Sequence, residues 1–368
     1  MNILVCQHPA AWDRYVAAHP HGGPFHRFGW KGILERVYNL STFFLMAGDD
    51  ASGRACTDGQ DSPVRGICAL ALLKSPGNKR RLISLPYLDV SGILADDGRC
   101  EDQLLRHALT IAQTHRVDWM ELRQAAPLRG GAIPAGSPDG QPETRFDDRV
   151  RVHRVSTHKA GLRRDVPADS RQLLDSFKSK LRSQIKKALK NGLTHEVGGA
   201  ELLPLFYDVF SRNMRDLGSP VHAYRWFGEV LGTFGEDARI VVVRRQSEAV
   251  AASLVLRFQN RLHNPWASSL RAHRRLGSNM LLYCAMLSYA CDAGLSVFDF
   301  GRSSPGAGTF AFKRQWEARP RPLQWHYMTL KGAAVDPQAE RLSFRTWKLL
   351  PIGLSRLLGP HIRRRIGL

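Results

Sequence analysis

Leu281-Leu-Tyr-Cys-Ala-Met-Leu-Ser-Tyr-Ala-Cys-Asp-Ala293, then Gly294, then Ser296-Val297-Phe298-Asp299-Phe300, is the stretch on which the fold reading turns. Leu281, Ala285 and Tyr289 recur at helical spacing. Gly294 stands where a helix C-cap is wanted. The apolar run that follows reads as a strand with one carboxylate, Asp299, near its end. The same grammar occurs earlier. Leu104 to His115 carries Leu104, Ala108, Ile111 and Ala112 at helical spacing, and Val117 to Leu122 is a strand-like run with Glu121 near its end.

Working outward, each helix-turn-strand unit is preceded by a matching series. His26-Arg-Phe28-Gly-Trp30 and His222-Ala-Tyr224-Arg-Trp226 share a His, an aromatic and a Trp at alternate positions. Strand-like runs follow both, Ser41–Ala47 and Gly66–Leu73 in one half, Arg239–Val243 and Val250–Phe258 in the other. Echoes in one order predict a duplicated α/β domain; the alternative is two unrelated α/β domains sharing generic strand-helix grammar. The halves divide as 1–165 and 166–340, with a tail at 341–368. A polar insert at Asp49–Ser62 shortens the register of the first half, and Arg129–Arg149 reads as a long Gly/Pro/Asp-rich loop. Ser170 to Gly192 reads as one helix, with Leu173, Phe177, Leu181 and Ile185 on one side and Lys178, Lys180, Arg182, Lys186 and Lys187 on the other.

The 368 residues hold 53 Lys and Arg against 33 Asp and Glu, a net charge of +20, with 43% hydrophobic residues. That composition buries a core and excludes disordered, collagen-like and disulfide-scaffold classes. The charge points to a polyanionic partner: nucleic acid, an acidic membrane surface, or a phosphate-bearing substrate. The six cysteines form no C-x-x-C pair and none is spaced with histidine as a zinc set, so they read as reduced thiols of a cytoplasmic protein. No signal peptide opens the chain, and no apolar run approaches the roughly 20 residues of a membrane span.

Three stretches carry chemistry. Gly306-Ala-Gly308-Thr-Phe310-Ala311 matches a dinucleotide fingerprint, but Phe310-Ala-Phe312-Lys313 reads as a strand rather than the helix such a site needs, and the match is rejected. Arg271-Ala-His-Arg274-Arg-Leu-Gly277-Ser278-Asn279 leads into a helix whose free N–H groups and arginines would converge on an anion. The other reading is a solvated basic turn with Ser278 or Asn279 as N-cap. Third, Lys313 beside Phe312 would stabilise an oxyanion in acyl transfer, or would be an ordinary edge-strand lysine. Asp299 would receive or relay a proton, or is a buried carboxylate satisfied by backbone N–H groups. Ser303 and Ser304 lack the G-x-S-x-G context of a serine nucleophile.

The Arg274 to Asn279 stretch resembles the R/Q-x-x-G-x-G/A loop that cradles the coenzyme A pyrophosphate in GNAT acyltransferases, with Asn279 in place of the last small residue. Lys180-Leu-Arg182-Ser-Gln-Ile185-Lys-Lys-Ala188-Leu-Lys190-Asn-Gly192 resembles a segment of FemAB-like proteins, and Phe298-Asp-Phe-Gly301 with Phe312-Lys313 resembles that family's closing motif. Phe210 to Pro220, Asn264 to Ser269 and Gly301 to Gly306 look like its exosortase-associated (PEP-CTERM) branch. The resemblance implies an α/β (α+β) fold of two tandem GNAT-like domains, each a mixed central sheet flanked by helices, plus a basic amphipathic C-terminal tail. It implies acyl or aminoacyl transfer from an acyl-CoA or aminoacyl-tRNA to an amine or hydroxyl of an envelope or exopolysaccharide acceptor, with no permanent cofactor. Lys313 inherits the acyl-linked role, Arg182 a substrate phosphate, and Arg271, Arg274, Gly277, Ser278, Asn279 and Phe312 the donor. The lysine that some members carry after the matching Trp is Leu34 here.

The rival class is a non-catalytic adaptor on RNA or an anionic membrane. From Arg341 to Leu368, Trp347, Leu350, Leu354 and Leu357 alternate with Lys348 and Arg356, and no acidic residue follows Glu340. Such a tail suits a peripheral contact at the inner face of the membrane, or packs on the second domain with its charges in water.

Overall fold

The computed structural model describes residues 1–48, 63–75, 77, 79–128, 147–335 and 345–367; the insert at 49–62, most of the loop at 129–149 and residues 336–344 lie outside them. Two compact units form, the first from 1–159, 322–341 and 364–368, the second from 160–321 and 342–363.

The first unit contains β1 (Asn2–Val5), α1 (Pro9–Ala18), α2 (Trp30–Tyr38), β2 (Ser41–Gly48), β3 (Val64–Lys74), β4 (Arg80–Ile83), β5 (Leu94–Ala95), α3 (Gly98–Thr114), β6 (Trp119–Gln124) and β7 (Val152–Ser156). The second contains β8 (Ala160–Asp165), α4 (Ser170–Ser176), α5 (Ser179–Lys190), β9 (Leu193–Gly198), α6 (Leu203–Asp216), α7 (Tyr224–Phe234), β10 (Ala238–Arg245), β11 (Glu248–Phe258), β12 (Arg261–Ser269), α8 (Ser278–Asp292), β13 (Val297–Ser303), α9 (Gly308–Arg314) and β14 (Arg319–Pro322). The chain then returns to the first unit as β15 (Gln324–Thr329), and α10 (Ile352–Ile366) lies with the second unit as far as Arg363.

The sheets run β1-β2-β3-β4-β6-β15-β7, with β5 on β3, and β9-β10-β11-β12-β13-β8-β14. Position for position this is one topology. In each, a parallel neighbour pair stands at the same place between antiparallel ones: β4 with β6, and β12 with β13. The duplication read from the sequence is therefore present as a shared strand order.

The expected division at 165/166 is corrected by the strands. Residues 160–165, expected in the first domain, pair with β13 of the second sheet. Residues 324–329, expected in the second domain, lie between β6 and β7 of the first. Each sheet thus takes its sixth strand from the other half of the sequence, because ladder geometry rather than chain adjacency selects the partner.

The layers follow from alternation. On the second sheet Val241 and Val243 join the cluster around α8, while Ile240 and Val242 are buried on the other face, toward α6 and α7. Helix α8 is buried nearly all round because it lies between the sheet and the pair α4 and α5. In the first unit Leu104, Leu105, Ala108 and Ala112 of α3 pack on Leu45, Leu70 and Leu82, and Trp12 of α1 meets Phe44 on the opposite face at 5.0 Å.

Two local expectations change. The single helix at 170–192 is two, because Phe177 and Lys178 are extended; Phe177 is fixed by Trp316 at 5.4 Å and by the Arg164 guanidinium over its ring. Residues 310–313, expected as a strand, belong to the seven-residue helix α9. The five described cysteines, Cys6, Cys68, Cys100, Cys284 and Cys291, are buried thiols, and no described helix is long and apolar enough to cross a membrane.

Candidate active site

The site is built by two strands that part. Strands β12 and β13 pair only at Arg261–His263 with Val297–Asp299. Beyond this β13 stays with β8, through a register shift between Asp299 and Arg302 where Gly301 has φ +70°. On its other side β12 carries an extra residue: Leu254 faces Trp266 while Leu256 faces His263, so Asn264 and Pro265 bulge opposite Val255. Proline cannot donate to the ladder, and bulges re-aim side chains beside sites. The two strands open a wedge.

A cavity of about 810 Å³ occupies it. Asn264, Ser268 and Ser269 line it from β12, Phe300, Arg302 and Ser303 from β13, and Gly308, Phe312 and Lys313 from the entry to and body of α9. The start of α8 contributes Gly277, Asn279, Met280 and Tyr283, preceded by Arg274. Among the described residues the lining includes the cations Arg274, Arg302 and Lys313 and no carboxylate.

The floor at α8 is shaped for an anion. Gly277 has φ +85° and opens the helix with no side-chain cap, so the first N–H groups of α8 have no side chain of their own to serve. A Cβ at Gly277 would also press on the Ala188 Cβ at 3.0 Å. The equivalent helix of the first unit differs. There Asp97 caps α3, its Oδ1 accepting from the Cys100 N–H at 2.8 Å. A built-in carboxylate holds the position that stays open in the second unit.

Lys313 is buried, and its Nζ donates to the Arg302 carbonyl at 2.9 Å. That bond joins α9 to the outgoing end of β13 and fixes the ammonium at the cavity wall. Phe300, Tyr283 and Phe312 form an aromatic wall beside it, Tyr283 stacking on Phe300 at 5.8 Å and meeting Phe312 edge-on at 4.9 Å. Burial pushes the Tyr283 phenol up to about 12, so it is a neutral hydroxyl. The Ser303 Oγ is buried without a protein partner among the described residues. Across the wedge the Asn213 amide of α6 donates to the Ser268 hydroxyl at 3.0 Å.

Of the residues singled out by sequence, Arg274, Gly277, Asn279, Phe312 and Lys313 meet around one cavity. Ser278 is fully buried, with its hydroxyl on the His273 carbonyl, and neither it nor Asn279 is the N-cap. Arg271 is exposed at the start of the basic turn and does not line the cavity. Arg182 is exposed on α5 and donates to the Asp175 carbonyl at 3.2 Å. Asp299 is also off the lining, because alternation along β13 turns it away from Phe298 and Phe300. It accepts from Arg163 Nε at 2.7 Å and from the Gly301 N–H at 2.9 Å. Burial raises its carboxyl, but His263, Arg163 and these hydrogen bonds outweigh it and hold the group below the ordinary carboxylate value. Asn213, Asn264 and Arg302 lie in motif stretches but are given no role by the sequence, and Tyr283 only its place on the helix. No local spacing marks them, since the strand splay alone brings them together.

With this geometry in view, residues 175–314 match the family model described as acetyltransferase (GNAT) domain. Among solved structures the chain resembles FemX, with a TM-score of 0.64 at 15% identity over 90% of this chain and 98% of that one. It also resembles a conserved protein of unknown function from Bacteroides thetaiotaomicron (TM-score 0.53, 9% identity, covering 90% and 100%). A third is the C-terminal domain of a putative lysylphosphatidylglycerol synthetase from Agrobacterium fabrum (0.50, 12%, 82% and 88%). No curated protein sequence matches the chain. The fold is GNAT-like, two mixed sheets flanked by helices. The GNAT class takes acyl-CoA or aminoacyl donors as substrates without a permanent cofactor. Among the described residues no His, Cys, Asp and Glu group is placed to hold a metal ion.

Proposed function

We propose that the protein is an acyltransferase whose second unit carries the reaction, with the donor seated between β12 and β13. The observation that carries this reading is the coincidence, around one cavity, of an uncapped helix start with Arg274 and a buried lysine in the same lining. Donor phosphates would lie on the N–H groups after Gly277 and on Arg274. The acceptor amine or hydroxyl adds to the activated carbonyl, forming the new C–N or C–O bond and a tetrahedral oxyanion; its collapse breaks the bond to the donor's sulfur or ribose oxygen, which leaves as the thiol or hydroxyl after taking a proton from solvent. The nucleophile's proton leaves through solvent in the open wedge. Lys313 stabilises the oxyanion of the tetrahedral intermediate, and Tyr283, neutral at physiological pH, is a hydroxyl donor in the same wall.

Asp299 serves this reading best as a positioning residue. Its ion pair with Arg163 and its bond to the Gly301 N–H hold the turn at which β13 leaves β12. The likeness to FemX and the motif stretches at 210–220, 264–269 and 301–306 support an aminoacyl or acyl donor and an acceptor of the cell envelope or an exopolysaccharide, in the manner of the exosortase-associated branch. Thioester and tRNA donors separate by salt: a tRNA donor loses affinity steeply as salt rises, and a thioester does not. The test is transfer of label from acetyl-CoA and from aminoacyl-tRNA to a cell-envelope extract, wild type against Lys313→Ala. Transfer by the wild type that the variant loses supports the proposal. Equal transfer by both removes Lys313 from the mechanism.

A further inference from the structure

Helix α10 is amphipathic the wrong way round. Against the second unit its buried positions are only Ser355 and Gly359, with Ile352 and Ile362 half-buried beside them, and its exposed positions are Leu354, Leu357 and Leu358 followed by His361, Arg364 and Arg365. A helix that only covers a domain turns its leucines in. Here close approach and charge do the docking instead. A Cβ at Gly359 would come within 2.8 Å of Val221. Arg356 donates to the Asp208 carboxylate at 2.5 Å and the Ser211 hydroxyl at 2.9 Å, and lies over the Tyr207 ring. Arg363 donates to His222. The helix is therefore held firmly with its leucines in water, Leu357 being 62% exposed. The preceding segment adds Leu349, 83% exposed, beside exposed Lys348, while its Trp347 is buried.

We infer that this face is a docking surface for an anionic phospholipid bilayer. Leucines with arginines on one helix face match a surface that is apolar beneath and negative above. A nucleic acid would take the arginines and leave the leucines wet. A second copy of this chain, itself carrying +20, would bring like charges together. No acidic residue follows Glu340 to oppose the attraction. The inference goes beyond acyl transfer and stands without it.

The test is co-sedimentation of the full chain with vesicles of phosphatidylcholine alone and of phosphatidylcholine with phosphatidylglycerol, at low and high salt. The prediction is binding to the anionic vesicles only. Leu354→Glu with Leu357→Glu should lower the partition coefficient by about tenfold or more, with an unchanged melting temperature because both positions are exposed. Arg364→Gln with Arg365→Gln should weaken binding at low salt. Equal binding to both vesicle types, no binding to either, or double-leucine variants that bind as wild type would each overturn the inference. So would leucine-dependent self-association in light scattering without vesicle binding.

Discussion

Lys313 and Gly277 divide the work at the scale of single residues. Lys313→Ala should lower kcat/KM by roughly 10²- to 10³-fold, as loss of an oxyanion donor does. Steady-state kinetics beside a melting curve checks this, because a drop in folding rather than rate would point to a packing role. Gly277→Ala forces a Cβ into a φ of +85° and against Ala188. That strain is worth about 1 kcal/mol or more, and the prediction is a raised donor KM with kcat less affected. Asp299→Asn tests the positioning role. It leaves the Arg163 guanidinium without its carboxylate, so the melting temperature should fall, and the pH profile of kcat should keep its shape. A lost limb in that profile would make Asp299 the proton acceptor instead.

Among the elements, α8 and α3 show what the sequence can specify and what it cannot. Both end in the same way. The Leu295 N–H reaches the Ala290 carbonyl and Gly294 reaches Cys291; the Val117 N–H reaches Ala112 and Arg116 reaches Gln113. Gly294 made the first ending legible. Arg116 hides the second, since it adopts φ +53° without being glycine. Arg116→Gly should therefore stabilise the fold by about 0.5–1 kcal/mol, a shift of a few degrees in melting temperature. The strands were legible because Gly66–Leu73 and Val250–Leu256 are buried on both faces and are mostly apolar. Phe310-Ala-Phe312-Lys313 misled because two aromatics at period-two spacing are strand-like. Phe310 and Phe312 both pack on the core from a short helix after Gly308, a tertiary choice that no local pattern encodes. The anion loop was legible as Arg274 to Asn279 because charge, glycine and helix start fall together in sequence. The rest of the lining was not, because it depends on where β12 and β13 separate.

For the molecule as a whole, the duplicated strand order with exchanged sixth strands explains why consecutive domain boundaries misplace 160–165 and 324–329. The echoed histidines have a structural use. His26 and His222 are buried near Trp30 and Trp226, and burial, with His19 adding repulsion, lowers His26 to about 3. Burial also lowers His326 to about 3, with His153 adding to it, and holds His222 well below 6.5. These groups are neutral when folded and take up protons when unfolded, so stability is full above pH 6.5 and falls as pH drops toward 3. Each contributes a loss of roughly 1.4 kcal/mol per pH unit in that window. Melting temperature measured between pH 7.5 and 5 should decline, and His26→Gln should flatten the slope.

The central claim is that the donor sits in the second unit, in the wedge between β12 and β13. A crystal structure of the protein soaked with coenzyme A, and another with a 3′-aminoacyl-adenosine, tests it most directly. The account predicts one of them in the wedge, its phosphate or carbonyl against the N–H groups after Gly277 or the Lys313 ammonium. Occupancy at the Asp97-capped helix of the first unit, or at neither, would contradict it.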